Sequence, residues 1–437
     1  DAGLTWTKSS PFVVKDIEFQ PNNFNIVFAS NTNFYKSYNG GKSFVKITNG
    51  LPLNIGRAVC SVTQADSNYV YVLATNDLYD FIGVYRSIDA GESFIKMIDN
   101  STISLLGYEE DGSDNSSQAW YDLAIAVSPT NKNEVYTGGV NIWKTLDGGL
   151  NWQISSHWYY INDPKKYSHA DIHSLDFYNG ELYCGSDGGI FKKDTADNWT
   201  DLSAGLNIAQ VTRMSNSQVD ENYISSGHQD NGTNYYKNGV WKHILGADGM
   251  ETILGKFGHD LIYVSSQNGY FSKSTDGGEN FTGIFNPDDY NDVGSWVTPF
   301  EMSNKNNNTL FIACEDVYKS TNSGASWQAI SSGLSFESLT CLKPAPSNDS
   351  IIYASYTQSF YYTYDGGTTW NANPLGSISG EISDIEVSLY NPKHVCISVS
   401  SFSSGKKLFF SNNGGISFTN ISKNLPNLPA NTLILDN

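Results

Sequence analysis

The chain has 437 residues and a formal net charge of −19, from 26 Lys and Arg against 45 Asp and Glu, and only three arginines, Arg57, Arg86 and Arg213. That balance excludes a nucleic-acid partner, because a phosphate backbone needs clustered cations. Charged residues make up 16%, aromatics 14%, and glycines number 39, which is an all-β composition of pleated aromatic surfaces and tight turns.

No stretch keeps apolar residues at helical spacing over three turns, so helix is expected to be nearly absent. No apolar run suits a membrane span, so no membrane insertion is expected. The five cysteines (Cys60, Cys184, Cys314, Cys341, Cys396) each sit in a short apolar run without metal spacing. They read as buried small residues rather than a disulfide scaffold.

In chain order the first strong signal is a repeat. A tag of Ser or Thr, any residue, Asp or Asn, any, Gly, any, Ser/Thr/Asn, then Trp or Phe occurs at residues 37–44, 87–94, 145–152, 274–281, 320–327, 363–370 and 411–418. The chain opens at Asp1 to Trp6 on a copy lacking its first two residues, and is expected to be a piece of a longer protein. Degenerate copies stand at Asp194 to Trp199 and Tyr236 to Trp241. The closing aromatic recurs at intervals from 38 residues (Trp6 to Phe44) to 58 (Phe94 to Trp152), the length of four short strands with turns.

The first full repeat sets the pattern. Residues 14–19, 25–29, 34–36 and 43–47 are short β-rich runs separated by Pro, Asn and Gly, with the tag between the third and fourth. In the tag the hydroxyl and carboxylate can bond turn backbone, Gly takes positive φ, and the aromatic buries area. Asp89, Asp147, Asp276, Asp365, Trp152, Trp327 and Trp370 are therefore assigned structural roles.

This tag resembles the Asp-box (BNR) repeat of sialidases, of two-propeller xyloglucan-type endoglucanases and of the sortilin Vps10 propeller. The resemblance implies an all-β, β-propeller fold of four-stranded blades, with the box stiffening a peripheral hairpin away from any active site. Nine complete blades are counted over 1–437, with a leftover outer strand at 4–8 and a leftover inner strand near 431–435. Either one ten-bladed sortilin-like ring or parts of two tandem seven-bladed rings fits that count. No Pro/Ser-rich linker interrupts the chain, which favours one continuous ring.

Five of the seven histidines (His157, His169, His173, His228, His243) fall between 157 and 243. If 169–173 is extended, His169, Asp171 and His173 share one face, because strand side chains alternate. Two imidazoles and a carboxylate can hold a divalent metal ion, form a satisfied network, or do acid/base work. Asp122, Asp187, Asp230 and Asp248 fall at strand ends of successive repeats, where ring symmetry would gather them into an acidic funnel mouth. Each also reads as turn chemistry. His228 and Gln229, beside Asp230, complete the candidate ligand-binding set. Asp171, Asp230 and Asp248 are the candidate catalytic carboxyls.

The succession WYDLAIAVSP, YTGGVNIWKTLDGGLNW, SHADIHSLDF, CGSDGGIF, GHQDNGT and GADG, over about residues 117–282, resembles large secreted bacterial propeller proteins. The resemblance implies a secreted or cell-surface protein, exported by type IX secretion machinery by analogy. Two functions follow: a binding module for an extracellular glycan or protein, or a polysaccharide hydrolase with an Asp acid/base pair. A sialidase fits least. Its three-arginine clamp cannot be assembled when Arg57 and Arg86 lie in one repeat.

Overall fold

The computed structural model describes residues 3–159, 164–331, 337–376 and 378–435. Asp1 and Ala2, which complete the opening tag, lie outside the described residues. Thirty-six strands form nine four-stranded antiparallel sheets, each connected in simple up-and-down order, with three short 3-10 turns as the helical content of the described residues. The sheets span 16–47, 57–98, 124–156, 172–201, 210–245, 252–285, 300–329, 341–374 and 381–420, and are called sheets 1 to 9 below. These are propeller blades, and each coincides with one repeat of the sequence.

The chain divides into two compact units, one running to Ile208 with sheets 1–4 and one from Ala209 with sheets 5–9. In the first unit the leading strands Asp16–Phe19, Arg57–Val62, Ala124–Val127 and Ile172–Tyr178 lie successively against one another. In the second, the leading strands of sheets 5 and 6, and of sheets 7, 8 and 9, do the same. Middle strands are the most enclosed: Val27–Ser30, Val70–Thr75, Val135–Gly138 and Leu310–Ala313 are buried at every residue. Strands buried on both faces read as continuous apolar runs, and the apolar clusters sit between consecutive sheets, as with Phe28, Phe34, Cys60, Val72 and Phe94 between sheets 1 and 2. All five cysteines are free thiols buried in those layers.

Each of the seven complete tags forms the hairpin between the third and fourth strands of its sheet. In the copy at 87–94, Ser87 Oγ donates to Asp89 Oδ1 at 2.7 Å and accepts from the Gly91 amide at 2.8 Å. The Ser93 amide and hydroxyl donate to the two Asp89 oxygens at 3.0 and 2.5 Å. Gly91 takes φ 81°, a left-handed conformation that glycine adopts without strain. The closing aromatic then wedges between sheets: Trp199, Trp327 and Trp370 donate their indole N–H to Ser155, Ile284 and Ile330 carbonyls of the preceding sheet at 3.0, 2.8 and 3.0 Å.

The terminal segments join none of the nine sheets. Residues 4–8 and 431–435, expected as lone strands, form no ladder. At the C-terminal end the Asp384 carboxylate accepts from the Thr432 hydroxyl at 2.7 Å and from the Leu433 amide at 3.1 Å. A side chain thus takes the amide that a ladder would use.

Candidate functional site

In the first unit, three chain segments meet at the ends of sheets 3 and 4. The Gln118 carbonyl accepts from the Tyr121 and Asp122 amides at 2.8 and 3.2 Å, which closes a single tight turn. Arg57 Nη1 fastens that turn from sheet 2, donating to the Ala119 and Tyr121 carbonyls at 2.9 and 3.0 Å. The turn sends Trp120 and Tyr121 outward, 60% and 41% exposed, and Asp122 inward to complete burial. The two rings lie 5.4 Å apart.

Asp122 Oδ2 accepts from Gln118 Nε2 at 3.2 Å, while its Oδ1 is buried with no hydrogen-bond partner among the described residues. Burial pushes this carboxyl up to about 7 against the opposing Gln118 bond, and the nearby Asp171 charge adds to the push. The same Gln118 nitrogen also donates to Asp171, and Tyr108 Oη donates to Gln118 Oε1 at 3.3 Å.

Asp171 sits at φ 63°, and the strand begins one residue later, at Ile172. The segment 169–173 is therefore not extended, and the expectation that His169, Asp171 and His173 share a strand face is not met. The reason is local: Asp171 makes a left-handed turn, and His173 is the extra residue of a β-bulge between Ile172 and Ser174. Among the described residues these three do not gather as a ligand set. His169 packs its ring where a side chain on Gly188 would stand, so the glycine makes room for it. His173 turns to Asp187 instead, with Nε2 2.8 Å from Oδ1.

Asp187 is the hub. Tyr121 Oη donates to its Oδ2 at 2.7 Å, and the Tyr121 and His173 rings meet edge to face at 4.8 Å. Asp171 and Asp187 bring carboxylate oxygens within 4.8 Å of each other. Burial and then the Asp187 charge raise the Asp171 carboxyl above its ordinary range. Beside this group, Trp158 (38% exposed) donates its indole N–H to the Tyr108 carbonyl at 3.1 Å. An exposed aromatic surface thus borders a set of three carboxyls, two of them with raised pKa.

In the second unit, the remaining candidates form a turn. Asp230, at φ 61°, donates its amide to Asp248 Oδ1 at 2.8 Å. His228 bonds through both ring nitrogens, to Ser226 Oγ at 2.8 Å and Asn234 Nδ2 at 3.2 Å. Burial, then His243, lowers its pKa. Gln229 Oε1 accepts from Gln210 at 3.4 Å.

Sequence reasoning named Asp122, Asp171, His173 and Asp187 as site residues but missed Trp120 and Tyr121 at the rim and Gln118, Arg57 and Tyr108, which hold the group together. Gln118 stands two residues before Trp120 in a short polar run without ligand or catalytic spacing. Arg57 and Tyr108 carry no local pattern at all.

The fold and site define an all-β chain of propeller blades with one aromatic-rimmed acidic cluster in its first unit. No protein-family model and no curated protein matches the sequence. Similar solved structures include the GH74 enzyme from Niastella koreensis (15% identity, 93% of this chain and 78% of that one, TM-score 0.33). The GH74 xyloglucanase from Xanthomonas campestris is 13% identical over 95% of this chain and 74% of its own, at TM-score 0.33. YCF48 from Cyanidioschyzon merolae is 13% identical over 81% and 93%, at TM-score 0.31. Likeness at this level assigns no substrate or partner.

Proposed function

We propose that this chain is a secreted or cell-surface Asp-box propeller that binds a glycan on the first unit through Trp120, Tyr121 and the carboxyls beneath them. One observation carries the reading: exposed Trp120 stands 5.4 Å from Tyr121, whose hydroxyl is bonded to Asp187 of a close carboxyl pair. Aromatic faces stack on the apolar faces of pyranose rings, and carboxylates accept from sugar hydroxyls. The free chain should bind at least one of xyloglucan, mixed-linkage β-glucan, galactomannan and chitin oligosaccharides in affinity electrophoresis. Trp120→Ala should weaken that binding by about tenfold, since one stacked ring contributes on the order of 1 kcal/mol or more. Capture of a protein partner with no affinity for any of these glycans would overturn the reading.

A hydrolase is the second reading, favoured by the Asp171–Asp187 pair, whose oxygens lie within 4.8 Å of each other, near the ~5 Å of the acid and nucleophile in retaining cleavage rather than the ~6.5–9.5 Å of an acid/base pair with a water between them. A protonated Asp171 would serve as the acid, and its raised pKa predicts activity that falls as pH rises through it. Reducing-end release from the same polysaccharides, lost in Asp171→Asn with binding retained, separates catalysis from binding alone.

A further inference from the structure

Among the tag aromatics, Trp241 is placed differently from the other tryptophans. Trp152, Trp199, Trp327 and Trp370 each donate an indole N–H to a backbone carbonyl at 2.8 to 3.1 Å. In sheet 5 the tag is degenerate. Its hairpin shrinks to Asn238-Gly239, with φ 49° and 90°, a two-residue turn that needs positive φ at both positions. The shortening draws Trp241 into the fourth strand, Val240–Leu245, as the direct ladder partner of Tyr236. Tyr236 in turn pairs with Ile224, so Ile224, Tyr236 and Trp241 form one row across three strands.

That row opens to solvent. Trp241 is 54% exposed, and the Tyr236 and Trp241 rings lie 5.3 Å apart at 52°. With Glu221 and Asn222 they line a cleft of about 490 Å³. The Trp241 indole N–H, the Tyr236 hydroxyl and the Glu221 carboxylate make no hydrogen bond within the described residues, whereas Asn222 Nδ2 is held by Asp220 at 2.9 Å. One wall is aromatic, and the indole donor, the tyrosine hydroxyl and the carboxylate acceptor are free among the described residues.

We propose that this cleft is a second saccharide site, which takes a neutral hexopyranose unit of the same glycan and so rests on the glycan reading above. The tilted ring pair offers the apolar face of a pyranose its stacking surface. Glu221 accepts from hydroxyls, and the indole donates to a ring or hydroxyl oxygen. The lone carboxylate at the rim repels uronates and sialic acids, which selects an uncharged sugar.

The test is affinity electrophoresis of the full chain on the same four glycans, for the wild type, Trp241→Ala, Trp241→Tyr and Trp120→Ala. Trp241 is largely exposed, so both its variants should keep the wild-type melting temperature. Trp241→Ala should weaken polymer binding by roughly fivefold or more, because one stacked ring contributes on the order of 1 kcal/mol, and Trp241→Tyr should restore most of it. The site is overturned if Trp241→Ala binds every glycan as the wild type does while Trp120→Ala does not. The reverse pattern, with Trp120→Ala unchanged and Trp241→Ala impaired, sustains this cleft and sinks the first-unit site. A wild type that binds none of the four removes both.

Discussion

Asp122 is completely enclosed, has one oxygen without a partner among the described residues, and its carboxyl titrates near 7. Its folded pKa therefore lies above the ordinary carboxyl value of about 4. Between those values the folded protein holds a proton that the unfolded chain has released. Stability from this group is complete below about pH 4 and is lost as pH rises toward 7. Asp122→Asn keeps the shape without the charge. Its melting temperature should match the wild type at pH 4 and exceed it at pH 8, and an equal difference at both pH values would contradict the burial argument. Such a cost persists in a fold where the residue serves something else. The sequence showed Asp122 as an acid at a strand end, but the turn that buries it is fastened by Arg57, which lies 65 positions earlier by numbering and carries no marker.

At the scale of the hairpin, the acidic residue of the tag acts as an acceptor. Asp147 Oδ1 accepts from the Thr145 hydroxyl at 2.8 Å and from the Leu150 and Asn151 amides at 3.0 Å each. These bonds outweigh burial and hold its pKa down to about 2. Stability from the charged form is present above about pH 4 and lost as pH falls through about 2. Three copies use Asn39, Asn322 or Asn413 at this place, with the same acceptor geometry at 2.9 to 3.0 Å. Asp147→Asn should therefore shift stability by under about 0.5 kcal/mol at pH 7 and flatten its fall below pH 4, while Asp147→Ala should cost roughly 1–2 kcal/mol. Denaturant melts at pH 7 and pH 3 check both. This element was almost fully legible, because every bond in it spans four residues or fewer. The H-x-D-x-H segment was not: alternation assumes an extended strand, and the left-handed Asp171 and bulged His173 broke that premise through contacts with Gln118 and Asp187, both distant in sequence.

At the scale of the molecule, the repeat dictated nine sheets because each tag closes one hairpin, and in several copies its tryptophan reaches back to the preceding repeat. The division at Ile208 and Ala209 was invisible, since the loop there carries no Pro/Ser-rich composition. What the fold adds to the repeat is a difference among its tryptophans: among the described residues most are tied to backbone carbonyls, while the Trp120 indole makes no hydrogen bond at the aromatic rim of the acidic cluster. The ten indole N–H resonances of the full chain report that difference directly. With Trp120 assigned by its loss in Trp120→Phe, titration of a bound glycan should move the Trp120 signal and leave those of Trp327 and Trp370 in place. A glycan that saturates the protein without moving the Trp120 signal would contradict the account.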